Sequence, residues 1–249
     1  DFPLFKKLEL SDEEDLRTIV DRCNLRPYAD FCFVNMWIWN TGNDMQISKL
    51  HDNLVVVFRD YVSREAFLSF VGHTELEKTT RALLEFSKKH YKIEYLKLVP
   101  QEVAEKLPAQ EFCIIEDQDS HDYIYRVSHL ADMIHWKNDK GKNVRGFIKK
   151  HPEYEIKQVS LTDFPVEAIR ALFDKWGKIK KIETVFDLNE YSALERLLSL
   201  DDKNIKAILL YSSGVLLGFT VYEVIGDGEY AISRFAKADT SFDSSIYDI

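Results

Sequence analysis

Residues Lys206 to Asp239 read KAILLYSSGVLLGFTVYEVIGDGEYAISRFAKAD. Three apolar runs, rich in Val, Ile, Tyr and Phe, are separated only by Ser212-Ser213-Gly214 and Gly226-Asp227-Gly228. Short Gly-containing turns between such runs dictate consecutive antiparallel hairpins. Upstream, Tyr154 to Val159 reads as a strand, Pro165 to Trp176 as a helix and Leu188 to Leu200 as a second helix. The second half therefore runs strand, helix, helix, strand, strand, strand.

The first half repeats much of that order. Ser11-Asp12-Glu13-Glu14 has the form of a capping box, in which hydroxyl and carboxylate satisfy orphan backbone donors reciprocally. Leu16, Ile19, Val20 and Cys23 follow at helical spacing, and Pro27 ends the segment. Leu54 to Phe58, Phe67 to Val71, Tyr95 to Val99 and Phe112 to Glu116 read as strands. Thr74-Glu75-Leu76-Glu77 is a second box, opening a helix that runs to about His90, and Pro100 starts a short helix. The pattern predicts two α+β units of related architecture, residues 1–135 and 136–249. The join falls near Tyr123 to Gly141, where Asp139-Lys140-Gly141 supplies a turn signal.

A hydrophobic content of 45% suffices for packed cores, and no run of 18 apolar residues is present to span a membrane. The formal net charge of −9 argues against indiscriminate nucleic-acid binding, and nothing points to sequence-specific DNA binding. Cys23, Cys32 and Cys113 are sparse and odd in number, as expected of free, buried thiols in a reducing compartment. The chain opens Asp1-Phe2-Pro3 with neither a secretory leader nor an initiator Met. The expectation is a cytoplasmic protein that lacks a few N-terminal residues here.

Charge is unevenly spread. Lys137 to Lys150 (KNDKGKNVRGFIKK) holds six basic residues and one acidic. Lys142, Arg145 and Lys149 share one helical face, which suits phosphate recognition; the alternative is a solvated surface helix. Glu223, near a strand end, is a candidate base for an amine nucleophile, although a solvent-facing Glu is commoner there. The aromatic stretch DFCFVNMWIW, Asp30 to Trp39, suits a core better than a ligand platform. No His or Cys stands at metal-ligand spacing, and neither a P-loop nor a nucleophile elbow occurs.

The element order of the second half resembles the opening of the acyltransferase fold shared by N-acetyltransferases and aminoacyl-tRNA-dependent transferases. Six segments carry a closer resemblance. They are FKKLELSDEEDL (Phe5 to Leu16), the aromatic stretch, HDYIYRVSHLADM (His121 to Met133), KGKNVRGFIKKHPEY (Lys140 to Tyr154), GVLLGFTVYEVI (Gly214 to Ile225) and RFAKADTSFDSSIYDI (Arg234 to Ile249). Together they resemble the phosphatidylglycerol lysyltransferase C-terminal-like family, also called DUF2156. The resemblance implies tandem acetyltransferase-like (GNAT-like) domains, with mostly antiparallel sheets flanked by helices.

What the resemblance implies about chemistry is aminoacyl transfer, with aminoacyl-tRNA as a candidate donor, to an anionic lipid or a small amine or hydroxyl acceptor. In such a fold the loop after the last hairpin faces the acyl donor, so Arg234 and Lys237 would hold a carboxylate or phosphate and Asp239 would orient an amine. Departures exist: Arg145-Gly146 stands where the family favours Arg-Asn, and Arg234 where His is common. Coenzyme A users carry a Gly-rich loop at this point, whereas Ala236 to Asp243 has no Gly. That favours a donor other than acetyl-CoA and no cofactor. An acetyl-CoA-dependent N-acetyltransferase and a non-catalytic binding module remain as alternatives. The fold pattern also leads us to expect one more helix and strand beyond Ile249, the second domain being incomplete.

Overall fold

The computed structural model describes residues 1–23, 27–60, 63–181 and 185–249, with the backbone alone for 185–188. It divides into two compact units, Asp1–Asp122 and Tyr123–Ile249. The first contains β1 (Lys6–Lys7), α1 (Glu13–Arg22), α2 (Phe33–Trp39), β2 (Gln46–Leu50), β3 (Asn53–Arg59), β4 (Ala66–Val71), α3 (Leu76–His90) and α4 (Gln101–Ala104). The second contains α5 (Val127–Ala131), α6 (Asp139–Lys150), β5 (Tyr154–Ser160), α7 (Val166–Lys180), α8 (Val185–Leu198), β6 (Ile205–Ser212), β7 (Val215–Ile225) and β8 (Tyr230–Ala238). Each unit has one four-stranded sheet, ordered β1-β2-β3-β4 and β5-β6-β7-β8, with every pairing antiparallel. Both sheets are threaded alike: a strand, two helices, then three strands in sequence.

In the first unit the sheet is covered on both sides, which explains why β3 and β4 are apolar runs rather than alternations. Leu54, Val56 and Phe58 point to the side holding Leu16 of α1 and Met36 of α2. Val55 and Val57 point to the side holding Leu83 of α3 and Val103 of α4. Register completes each row, pairing Phe58 with Phe67 on one side and Val57 with Leu68 on the other. The aromatic stretch is core: Phe31, Phe33, Met36 and Ile38 are buried.

Several local expectations change. Helix α1 is approached through a box formed by Glu9 and Asp12, two residues earlier than Ser11 and Glu14, with the Asp12 carboxylate accepting from Glu9 N–H. Thr74 does not cap α3. Its N–H and C=O are both taken by Asn53, whose Oδ1 also accepts from His73 N–H and whose Nδ2 also donates to Thr79 Oγ1 at 2.9 Å. Tyr95 to Val99 is coil: Leu98 sits at φ 56°, and Lys97 N–H to Leu68 C=O is the backbone bond this segment makes to β4. Phe112 to Glu116 is also coil, with Ile115 exposed. Cys23 and Cys32 are buried as expected, whereas Cys113 is exposed, because its segment joins no sheet.

The second unit follows its expected order closely. Ile169, Leu172 and Phe173 of α7 form a buried stripe, as do Ala193, Leu194 and Leu197 of α8. Ala207, Leu209, Phe219 and Val221 lie on one face of the sheet in paired register. On the opposite face Leu210, Leu217 and Ala238 pack with Phe147 of α6. No described helix is long and apolar enough to cross a membrane.

The Asn53 clasp yields a stability test. A Cβ at Gly72 would stand 1.9 Å from Asn53 Oδ1, with backbone on the other side of the clasp. Gly72→Ala is expected to cost about 2–4 kcal/mol in urea denaturation. A cost near zero would show that Asn53 moves aside freely.

Candidate functional site

A strand lying on a helix layer should present alternate residues inward. In β8, Phe235 and Lys237 do so, facing Val221 and Phe219 across the ladder. Strict alternation would bring Ser233 inward and leave Arg234 outward. The register slips here: Val221 faces Phe235, while Tyr222 faces Ser233. Arg234 is the extra residue of a β-bulge, and so joins Phe235 on the buried side.

There it meets Glu223. The Arg234 guanidinium donates to the Glu223 carboxylate, and both side chains are almost completely shielded from solvent. Arg234 Nε has no hydrogen-bond partner among the described residues. Further along β8, Lys237 Nζ lies 2.6 Å from Glu190 Oε1 of α8 and 3.6 Å from the ring centroid of Trp176 of α7. The cation is thus held by a carboxylate and an aromatic face together. Asp239 follows at the strand end, buried, bonded to Lys175 of α7 and to the N–H of Ser241 at 3.0 Å. Burial pushes its carboxyl upward, but the hydrogen bonds from Lys175 and Ser241 outweigh this and hold it below the ordinary value.

The two groups of candidate residues therefore separate. Glu223, Arg234, Lys237 and Asp239 gather on the side of the sheet covered by α7 and α8. Lys142, Arg145 and Lys149 ride on α6, which packs through Phe147 on the other side. Lys142 pairs with Asp139 at 3.0 Å. Arg145 donates to the carbonyls of Ile134 and Trp136 at 2.6 and 2.9 Å, tying the preceding loop to the helix. Lys149 is exposed.

Glu190 and Trp176 were not picked out from sequence. A Glu within an amphipathic helix and a Trp three residues after a core Phe each look ordinary until β8 is laid across them. The turn after β8 is closed on itself. The N–H groups of Asp239, Thr240 and Phe242 bond to Leu217, Ala238 and Asp239 carbonyls, and Ala238 N–H bonds to Tyr247 Oη.

Two measurements test this geometry. Arg234→Met removes the buried guanidinium that pairs with Glu223 and is expected to cost about 3–5 kcal/mol by urea denaturation. Adding Glu223→Leu should recover most of that loss; a double variant no better than the single would mean that the pair is not coupled. Asp239 has a depressed folded-state pKa, so its contribution is present above the ordinary value of 3.8 and is lost as pH falls below it. Asp239→Asn should therefore flatten the fall in stability between about pH 4 and pH 2 relative to the parent. Parallel acid-unfolding curves would contradict the assignment.

A solved structure of another protein shares this architecture. A conserved protein of unknown function from Bacteroides thetaiotaomicron superposes with TM-score 0.74 at 22% identity, over 98% of this chain and 83% of that one. The DUF2156 C-terminal domain of a candidate lysylphosphatidylglycerol synthetase from Agrobacterium fabrum gives TM-score 0.49 at 11% identity, over 95% of this chain and 72% of that one. No curated protein matches the sequence. The family model described as "Phosphatidylglycerol lysyltransferase, C-terminal" matches residues 22–249, and the chain belongs to that family.

Proposed function

We propose that this protein transfers an aminoacyl group from aminoacyl-tRNA to an amine or hydroxyl of a lipid or other small acceptor, using the α7–α8 side of the second sheet. The family match over residues 22–249 carries the reading. The threading of both sheets fits tandem GNAT-like domains, and the concentration of buried charge along β8 supports a site there. Burying Glu223, Arg234, Lys237 and Asp239 where apolar side chains would stabilise as well or better calls for a role beyond stability.

Aminolysis or alcoholysis of an aminoacyl ester needs little covalent help. It needs the ester and nucleophile held together and the nucleophile unprotonated. Lys237 provides positive charge for a phosphate or for the oxyanion that develops at the ester carbonyl, and Arg234, shielded from solvent like Glu223, stands behind it. Glu223 is fully buried against Arg234, so it acts here as the group that positions Arg234 rather than as a base. Asp239, held ionised by Lys175 and Ser241, is too weak a base to deprotonate an amine at neutral pH and orients it instead. The turn after β8 supports a donor other than coenzyme A. Its amides, which would have to cradle a pyrophosphate, are already bonded within the turn.

The test is a transfer assay with labelled aminoacyl-tRNA or acetyl-CoA as donor and phosphatidylglycerol vesicles or a soluble amine as acceptor. Label should pass from aminoacyl-tRNA, and Lys237→Met should slow it by roughly 10²-fold with the fold retained. Transfer from acetyl-CoA alone would replace this reading with an N-acetyltransferase. No transfer from either donor would favour a binding module.

A further inference from the structure

Helix α7 ends in a run of cations. Lys175, Lys178 and Lys180 lie in its C-terminal part, and Lys181 follows in a left-handed conformation at φ 51°. Lys175 is committed to Asp239. Lys178, Lys180 and Lys181 are exposed. Among the described residues their ammonium groups have neither an ion-pair nor a hydrogen-bond partner. They outnumber Asp174, the acidic residue of the same stretch. In a chain of net charge −9 such a surplus is local, and a helix C-terminus holds it at little cost.

An aromatic ring is held at the same end of β8. Tyr247 Oη accepts from Ala238 N–H at 3.2 Å. Ala238 lies between Lys237, which rests on Trp176 of α7, and Asp239, which bonds to Lys175 of α7. The ring is anchored by its chain neighbours on both sides. Ile246 is buried with Phe147 and Leu217, and Asp248 Oδ2 accepts from Asn143 Nδ2 at 2.7 Å. Yet Tyr247 is 48% exposed. A pinned ring with much of its surface in solvent stacks on a planar group without first losing rotamer freedom.

We propose that the end of α7 and the Tyr247 ring grip the single-stranded acceptor end of the RNA that carries the aminoacyl group. Lys178, Lys180 and Lys181 take its backbone phosphates, and a base stacks on Tyr247. Lys175 and Tyr247 converge on Asp239 and Ala238, next to Lys237, so the strand is led toward the charge at which the ester reacts. Cations beside an aromatic platform suit single-stranded nucleic acid, because every base offers a π-face. A lipid head group offers a phosphate but no base. This grip presupposes the aminoacyl-tRNA donor proposed above and supplies a surface that recognises it.

Fluorescence anisotropy of the full chain with unfractionated bacterial tRNA, labelled away from its acceptor end, tests this. The same tRNA trimmed of its single-stranded acceptor end is run beside it. The parent should bind intact tRNA at least about tenfold more tightly than trimmed tRNA. Lys178→Gln, Lys180→Gln and Lys181→Gln together should weaken intact tRNA at least about tenfold and lower the slope of log affinity against log salt by about 2. Tyr247→Leu should weaken it about tenfold. The lysine variant, changed only at exposed positions, decides the matter if Tyr247→Leu does not fold. The grip is overturned if the folded variants bind intact tRNA like the parent, if trimming changes nothing, or if the lysine variant loses phosphatidylglycerol vesicles instead of tRNA. A parent chain that binds no tRNA would remove both the grip and the tRNA donor. Binding as expected without any transfer would uphold the grip and remove the transfer reading alone.

Discussion

The bulge at Arg234 is the feature on which the buried charge of the second unit depends. One extra residue in β8 turns a guanidinium from solvent toward the helix layer. That charge is tolerable in a low-dielectric setting only because Glu223, on the neighbouring strand, turns the same way. From this pair onward, β8 carries Lys237 and then Asp239 along the same side, and α7 and α8 answer with Trp176, Lys175 and Glu190. A strand that should be an apolar seam carries two buried cations, each paired with a carboxylate of a neighbouring element. Such pairing does not improve stability over hydrophobic packing of the same volume.

The first unit solves a different problem with the same threading. Its sheet is largely apolar on both sides, and two of its buried polar side chains, Asn40 and Asn53, organise turns. Asn53 makes bonds on all sides and fixes the entry to α3. Asn40 closes the turn after α2 through its carbonyl but leaves its amide nitrogen without a partner among the described residues. One is a completed clasp; the other is a partial one, its amide nitrogen buried.

Family membership and geometry bear on different parts of the functional reading. Belonging to the phosphatidylglycerol lysyltransferase C-terminal family supports aminoacyl transfer in general. The closed turn after β8 and the charge row along that strand bear on how a donor would be held. A chemistry that consists mainly of positioning needs rigid groups, and here each candidate is pinned by a neighbour: Arg234 by Glu223, Lys237 by Glu190 and Trp176, Asp239 by Lys175 and Ser241. The cationic face of α6 has a plainer use for Arg145, which ties down the loop before its own helix.

The amino-acid sequence by itself determined the hairpins of the second unit. Two-to-three-residue turns with Gly leave antiparallel neighbours as the outcome, and 3.6-residue stripes on α7 and α8 say which sides they bury. The family resemblance marked Arg234, Lys237 and Asp239 as a loop following the last hairpin strand, but Arg234 and Lys237 lie within β8 itself and only Asp239 follows it. Sequence pattern misread Tyr95 to Val99 and Phe112 to Glu116, whose strand-like composition is overridden where no edge accepts them and where Leu98 takes a left-handed conformation. It misplaced the helix caps, because a capping motif competes with distant partners such as Asn53 that local spacing does not reveal. Only the tertiary structure decided that Arg234 faces inward, since a bulge is a property of two paired strands and not of one. For the same reason Glu190 and Trp176 became partners of Lys237 only once α7 and α8 were packed against β8.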